Sequence, residues 1–239
     1  MRHLALERSL TDRTYEAILD AICGGELASG ERINQDELAT KLNVSRQPVV
    51  QALALLRIQG FVRESGRRGV VVTPLDVDAI SHLYEFRSAL DGAACRGAAV
   101  RSSAEARLWG PALIAEGRAA FASGSVKRMV EADMRFHRLL YELCGNPIIA
   151  ETAALHWHHI RRLIGGYLQH YPMRNVWDEH QAILDAVISG DPVRAEAEAR
   201  QHADNAAAKF TALLAKGTAA HDETKTASGK RTGRRRKPS

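Results

Sequence analysis

Apolar residues recur at helical spacing along most of the chain, and glycines, prolines and capping residues break the pattern often enough to delimit the elements. Tyr15, Ile18, Leu19 and Ile22 form one face of a helix over Thr11 to Cys23, closed by Gly24-Gly25. Asn34, with Glu37 three residues later, predicts a capping box and a helix whose stripe is Leu38, Ala39 and Leu42. Asn43 and Val44 make a turn. Ser45 suits the N-cap of the next helix, and Pro48 fits its first turn, where no intrahelical N–H bond is lost. In that helix Val49, Ala52, Leu53 and Leu56 should pack inward, leaving Arg46, Gln47, Val50, Gln51 and Ala54 facing out. Gly60 ends it. Two short strands, over 61–64 and 70–73, flank Ser65-Gly66-Arg67-Arg68-Gly69.

After Pro74 the strand signals stop and a 3.6-residue period takes over. Helices are expected over 77–100, 103–122, 126–144, 148–169, 175–189 and 192–215. Asp76 caps the first, and Ser102 with Glu105 forms a capping box for the second. Gly145-Asn146-Pro147 and Gly190-Asp191-Pro192 are breaks in which a proline is placed to start the next helix. The fold class is therefore mainly α. Residues 1–73 form a winged helix-turn-helix of three helices and a small β-hairpin, 74–76 a linker, and 77–215 an all-helical bundle.

The first region carries the chemistry of a groove reader. A major groove admits an α-helix, arginine pairs with guanine edges and glutamine with adenine. Ser45, Arg46, Gln47, Gln51 and Arg57 are the DNA-contacting candidates on the helices, with Arg67, Arg68 and Gly69 in the hairpin tip. The competing reading is a plain helical hairpin whose arginines are solvated charges. The order of cap, turn, capped helix and basic hairpin favours double-stranded DNA.

Charge alters the picture only at one end. The chain of 239 residues has a formal net charge of +5, but Lys216 to Ser239 holds eight Lys or Arg against two acids, which leaves the body near −1. That tail is almost devoid of large apolar residues and is expected to be disordered. Its Arg234-Arg235-Arg236-Lys237 run adds non-specific attraction to DNA or serves only to solubilise. No apolar run approaches a membrane span, and Met1 to Leu10 is too interrupted by charge for a secretory signal. Cys23, Cys95 and Cys144 are odd in number and widely spaced, as suits thiols in a reducing cytoplasm.

The bundle holds a second chemical signal. Asp133 and His137 are four residues apart and share a helix face, while His180 and His202 fall in the last two bundle helices. Three imidazoles and a carboxylate suit Zn²⁺, Ni²⁺, Mn²⁺ or a similar divalent ion. By spacing alone, core histidines satisfied by neighbouring carbonyls are the commoner outcome. His156, His158 and His159 cluster before Arg161 and Arg162; a helix surface is expected there, with Arg161 able to face a cavity. Trp157 and Trp177 line a pocket or fill the core.

At these residues the chain resembles the GntR family of bacterial transcriptional regulators. The pieces that match are Gly30, Leu38-Ala39, the run from Leu42 to Val49, Ala52-Leu53 and Gly60-Phe61-Val62. The family commonly has Arg-Glu after its Pro-Val pair, and that Arg touches DNA; here Val50-Gln51 stands instead, so a family operator sequence does not transfer. The region from Val77 to Leu214 resembles the FCD effector domain of the family's fatty-acid-regulator-like branch, through LYEFRSALDGAA, the D-x-x-x-H pair, GNP, EHQAILDAVISGD and the late histidine. The resemblance implies a metal held by Asp133, His137, His180 and His202, and an effector contact at Arg87. A structural ion pair with Asp91 competes for Arg87. The implied protein is not an enzyme. It is a cytoplasmic, homodimeric regulator of a pseudo-palindromic operator, answering to a small anionic effector at the metal. A metalloenzyme fused to a DNA-binding module, or a regulator with a purely structural metal, are the alternatives.

Overall fold

The structure is a computed structural model that describes residues 9–66, 69–168 and 175–231, with side chains to residue 165 and over 175–214 in the later segments. Arg67 and Arg68, predicted at the wing tip, lie outside the described residues.

Helix α1 spans Leu10–Gly24. Ser9 starts it through a complete capping box with Asp12, a signal the sequence reading passed over. Strand β1 (Arg32–Ile33) is also new, and it leads into α2 (Gln35–Leu42). The Asn34 side chain accepts from Asp36 and Glu37 N–H. Its own amide donates to Glu37 at 2.8 Å, so the reciprocal arm of the predicted box ends on the side chain rather than the backbone. Asn43 closes α2 in the left-handed region at φ 52°, which Asn tolerates better than most residues.

Helix α3 runs Arg46–Ile58. Val49, Ala52, Leu53 and Leu56 are all buried, and the five residues expected outward are all exposed. Each fully buried Val or Leu contributes about 1.5–3 kcal/mol, so this face fixes the rotation of the helix. Ser45 occupies the N-cap, but its side chain makes no capping bond.

Strands β2 (Val62–Ser65) and β3 (Gly69–Val72) pair antiparallel in the register Val62↔Val72 and Ser65↔Gly69, with β1 on the far side of β3. Gly69 is required by space: a Cβ there would stand 2.4 Å from the Ser65 carbonyl oxygen.

The remaining helices are α4 (Val77–Arg101), α5 (Ser103–Ala122), α6 (Val126–Leu143), α7 (Pro147–Leu168), α8 (Val176–Ile188) and α9 (Pro192–Arg231). They match the sequence-predicted ranges within two residues, except at the end of α9. The disorder expected from Lys216 is corrected as far as Arg231. Extending an existing helix costs far less than nucleating one, so a tail with few apolar side chains can continue it.

By packing, the chain divides into two units. The first joins the described parts of Met1–Leu75, Pro111–Arg138 and Pro147–Asn175; the second joins the described parts of Asp76–Gly110, Leu139–Asn146 and Val176–Ser239. In the first unit α7 packs on α1. In the second unit α4 lies along α9 and α8. The approach of α5 to α8 needs Gly110, where a Cβ would meet the Leu184 side chain at 2.3 Å.

Candidate DNA-binding surface and metal-ligating residues

The exposed side of α3 and the β2–β3 ribbon flank a cleft lined by Gln35, Val50, Ala54, Arg57, Glu64 and Gly69. Arg46 stands at its helix start, 3.6 Å from Asp36 and 3.4 Å from the Gln35 side-chain oxygen; both charged partners are exposed. Such pairs are worth little and give way readily to a stronger anion. Gln47 is exposed. Gln51 accepts a 2.8 Å bond from the Thr11 hydroxyl, tying its amide to α1. Arg57 is paired with Glu64 of β2, so its charge is already partly answered.

The residues expected to ligate a metal fall in both units. In the first, Asp133 and His137 are both buried on one face of α6, Asp133 Oδ1 lying 3.9 Å from His137 Nε2. The indole of Trp157, on α7, meets the His137 ring edge-on with centroids 5.6 Å apart. In the second unit, His180 of α8 and His202 of α9 are buried with their Nε2 atoms 3.3 Å apart. Burial, then the nearby His202 and Arg87, hold His180 well below the ordinary imidazole range, so it is neutral near pH 7. His202 Nδ1 donates to Glu179 Oε2 at 2.8 Å. Burial opposes ionisation of Glu179, but bonding to His202 and the charges of His202 and Lys209 outweigh it and hold the carboxyl below its usual range. Glu179 directly precedes His180 in α8, and its partners are on α9. No spacing along one helix signals a partner on another.

Arg87 is 3% exposed and bonds Asp91 through Nε at 3.1 Å, while the Tyr141 hydroxyl donates to the other Asp91 oxygen at 2.5 Å. The competing ion-pair reading of Arg87 is thus present in the structure.

Arg161, which the sequence leaves able to face a cavity, pairs with Asp20 of α1 at 2.6 Å. Its neighbours do the same kind of work. Arg162 donates to the Thr73 carbonyl at 2.7 Å, Cys23 approaches the His158 carbonyl at 3.5 Å, and His159 stacks flat on Phe61 at 4.0 Å between centroids. His159 Nε2 also lies 2.9 Å from the Gln59 carbonyl, at the end of α3. The histidine cluster is therefore a docking face against the winged helix, where a solvated surface was expected.

An exposed recognition helix beside a short β-ribbon, joined to long packed helices, defines a winged helix-turn-helix DNA-binding protein with a helical companion domain. The comparisons agree. Residues 10–72 match the bacterial regulatory proteins of the gntR family, and residues 82–205 match the FCD domain. The chain belongs to the GntR family, in the group carrying an FCD domain, and is a DNA-binding transcriptional regulator. The uncharacterized HTH-type transcriptional regulator BphR of Paraburkholderia xenovorans is 28% identical over 211 residues, covering 84% of this chain and 85% of that one. The HTH-type transcriptional repressor NanR of Klebsiella aerogenes is 29% identical over 229 residues, covering 86% and 87%. The fold is shared with McbR/YncC of E. coli (TM-score 0.71, 18% identity, 87% of this chain and 99% of that one). It is shared also with a putative GntR regulator from Rhodococcus sp. RHA1 (TM-score 0.70, 22% identity, 84% and 96%). Among the described residues no helix is long and apolar enough to cross a membrane.

Proposed function

We propose that this regulator binds a pseudo-palindromic operator as a homodimer and that a small carboxylate, bound at a divalent metal in the helical domain, sets its affinity. The metal would be held by Asp133, His137, His180 and His202. One observation carries this reading: the facing Nε2 atoms of His180 and His202. Glu179 claims the Nδ1 proton of His202, so its Nε2 presents a lone pair. That lone pair needs a proton or a cation opposite it, and His180 is the residue it faces. His137, His180 and His202 are each buried and each offers one imidazole nitrogen, and with one carboxylate the donor set fits Zn²⁺, Ni²⁺ or Mn²⁺. The bound ion would supply a Lewis-acidic anchor for an anion. The guanidinium of Arg87, close enough to His180 to depress its basicity, would attract the same anion.

Base and phosphate contacts would come from Ser45, Arg46, Gln47 and Gln51, with Arg57 released from Glu64. Coupling between input and output would run through α7, whose Trp157 touches His137 while His159, Arg161 and Arg162 hold the winged helix. An effector alters DNA affinity only by binding the docked and undocked arrangements unequally.

A thermal-shift screen of small carboxylates, run with and without chelator and followed by gel shift on the chain's own upstream region, tests the reading. The expected result is a ligand that stabilises by several degrees, loses that effect on chelation and changes the gel shift. Chelation that unfolds the bundle by itself would mark the metal as structural. Absence of any sequence-preferring shift at moderate salt would overturn the operator reading.

A further inference from the structure

We infer that Glu179 is the positioning residue that makes His202 an Nε2 ligand, and that metal affinity depends on it; this rests on the metal reading above. The geometry is local to α8 and α9. His202, Asn205 and Lys209 are spaced along α9 by three and four residues and line one face. All three reach Glu179, which sits in the first turn of α8 directly before His180. Oε2 accepts from His202 Nδ1 at 2.8 Å; Oε1 accepts from Asn205 Nδ2 at 3.2 Å and from Lys209 Nζ at 3.3 Å.

A carboxylate gripped in this way cannot rotate without breaking bonds to two other side chains. It therefore fixes both the tautomer and the ring plane of His202. An ionised carboxylate accepts only, so Nδ1 must carry the proton and Nε2 must be the lone-pair nitrogen. That atom is the one 3.3 Å from His180 Nε2. A carboxylate behind an imidazole also raises its basicity as a ligand, and loss of such a partner costs about ten- to a hundred-fold in metal affinity. Lys209 balances the charge of Glu179, which keeps an unpaired anion from being placed beside the ligand set.

The test compares wild type, Glu179→Ala, Glu179→Gln and, as a control on the same helix, Gln181→Ala, whose amide donates to Asp185. Zn²⁺ and Ni²⁺ affinities are measured on the full chain by competition with a chromophoric chelator. The His202 tautomer is read without metal by long-range proton–nitrogen correlation on ¹⁵N-histidine protein, the signals assigned with His202→Gln. Glu179→Ala is expected to bind both ions about ten- to a hundred-fold more weakly and to show a mixed His202 tautomer. Glu179→Gln, whose amide oxygen still accepts from Nδ1, should keep the tautomer and recover most of the affinity, and Gln181→Ala should match wild type. If wild type binds neither ion, the metal reading fails and the inference falls with it. If wild type binds and Glu179→Ala binds as tightly, the inference alone fails. It fails equally if Glu179→Gln loses as much affinity as Glu179→Ala and both lose folded structure without metal, because Glu179 would then be structural.

Discussion

At the residue scale, the buried polar groups carry the sharpest expectations. Asp91 accepts from Arg87 and from Tyr141 while only 2% exposed. Removing it takes a carboxylate from a buried guanidinium and an acceptor from a buried hydroxyl. Breaking one side of a buried pair costs about 3–5 kcal/mol. Asp91→Ala should therefore lower the unfolding free energy by that order in urea titrations, and an Asp91→Leu, Arg87→Met double variant should recover part of it. Such pairs were half legible in the chain. The Arg87–Asp91 spacing of four residues announced an ion pair, but nothing in sequence announced Tyr141, fifty residues away. Glu179 was invisible for the same reason: its three partners all sit on another helix.

At the scale of the elements, periodicity and caps were enough to find α1 to α8 within two residues at each end, because a buried stripe and a capping side chain are local properties. The two-residue strand β1 was missed, since Arg32-Ile33 has no pattern of its own and exists only by pairing with Val71 and Val70. The docking face of α7 was missed because polar residues read as solvated until their partners are known. His159 gives this face a testable consequence. Burial, opposed by the Gln59 carbonyl and reinforced by His156, Arg162 and His158, lowers its affinity for protons below the ordinary imidazole value. The unfolded state then binds more protons than the folded state below about pH 6.5, so the docked arrangement weakens as pH falls through that region and is fully present above it. Melting curves from pH 7.5 to 5.5 should show a loss that His159→Phe, which keeps a ring on Phe61, reduces. His159→Ala should remove about 1–2 kcal/mol of stacking and hydrogen bonding and weaken the effector's control of DNA binding.

For the whole molecule, the charge is as unevenly distributed as the sequence indicated. A body near neutrality with a basic end predicts that much of the non-specific DNA affinity resides in the last residues. Deleting 232–239 removes Arg234, Arg235, Arg236 and Lys237. If all four neutralise phosphates, the slope of log K against log salt should fall by about 3–4, while preference for the operator over random DNA stays as it was. Fluorescence offers a view of the molecule from the inside. Of the three tryptophans, Trp109 is 58% exposed and emits from water. The other two are buried edge-on to histidines: Trp157 to His137 at 5.6 Å and Trp177 to His180 at 4.6 Å between ring centroids. A metal held as proposed would therefore report its own occupancy through these indoles. Ni²⁺ should quench the blue-shifted emission of the two buried indoles and spare the red-shifted emission of Trp109, and the titration midpoint would give the affinity without any added dye.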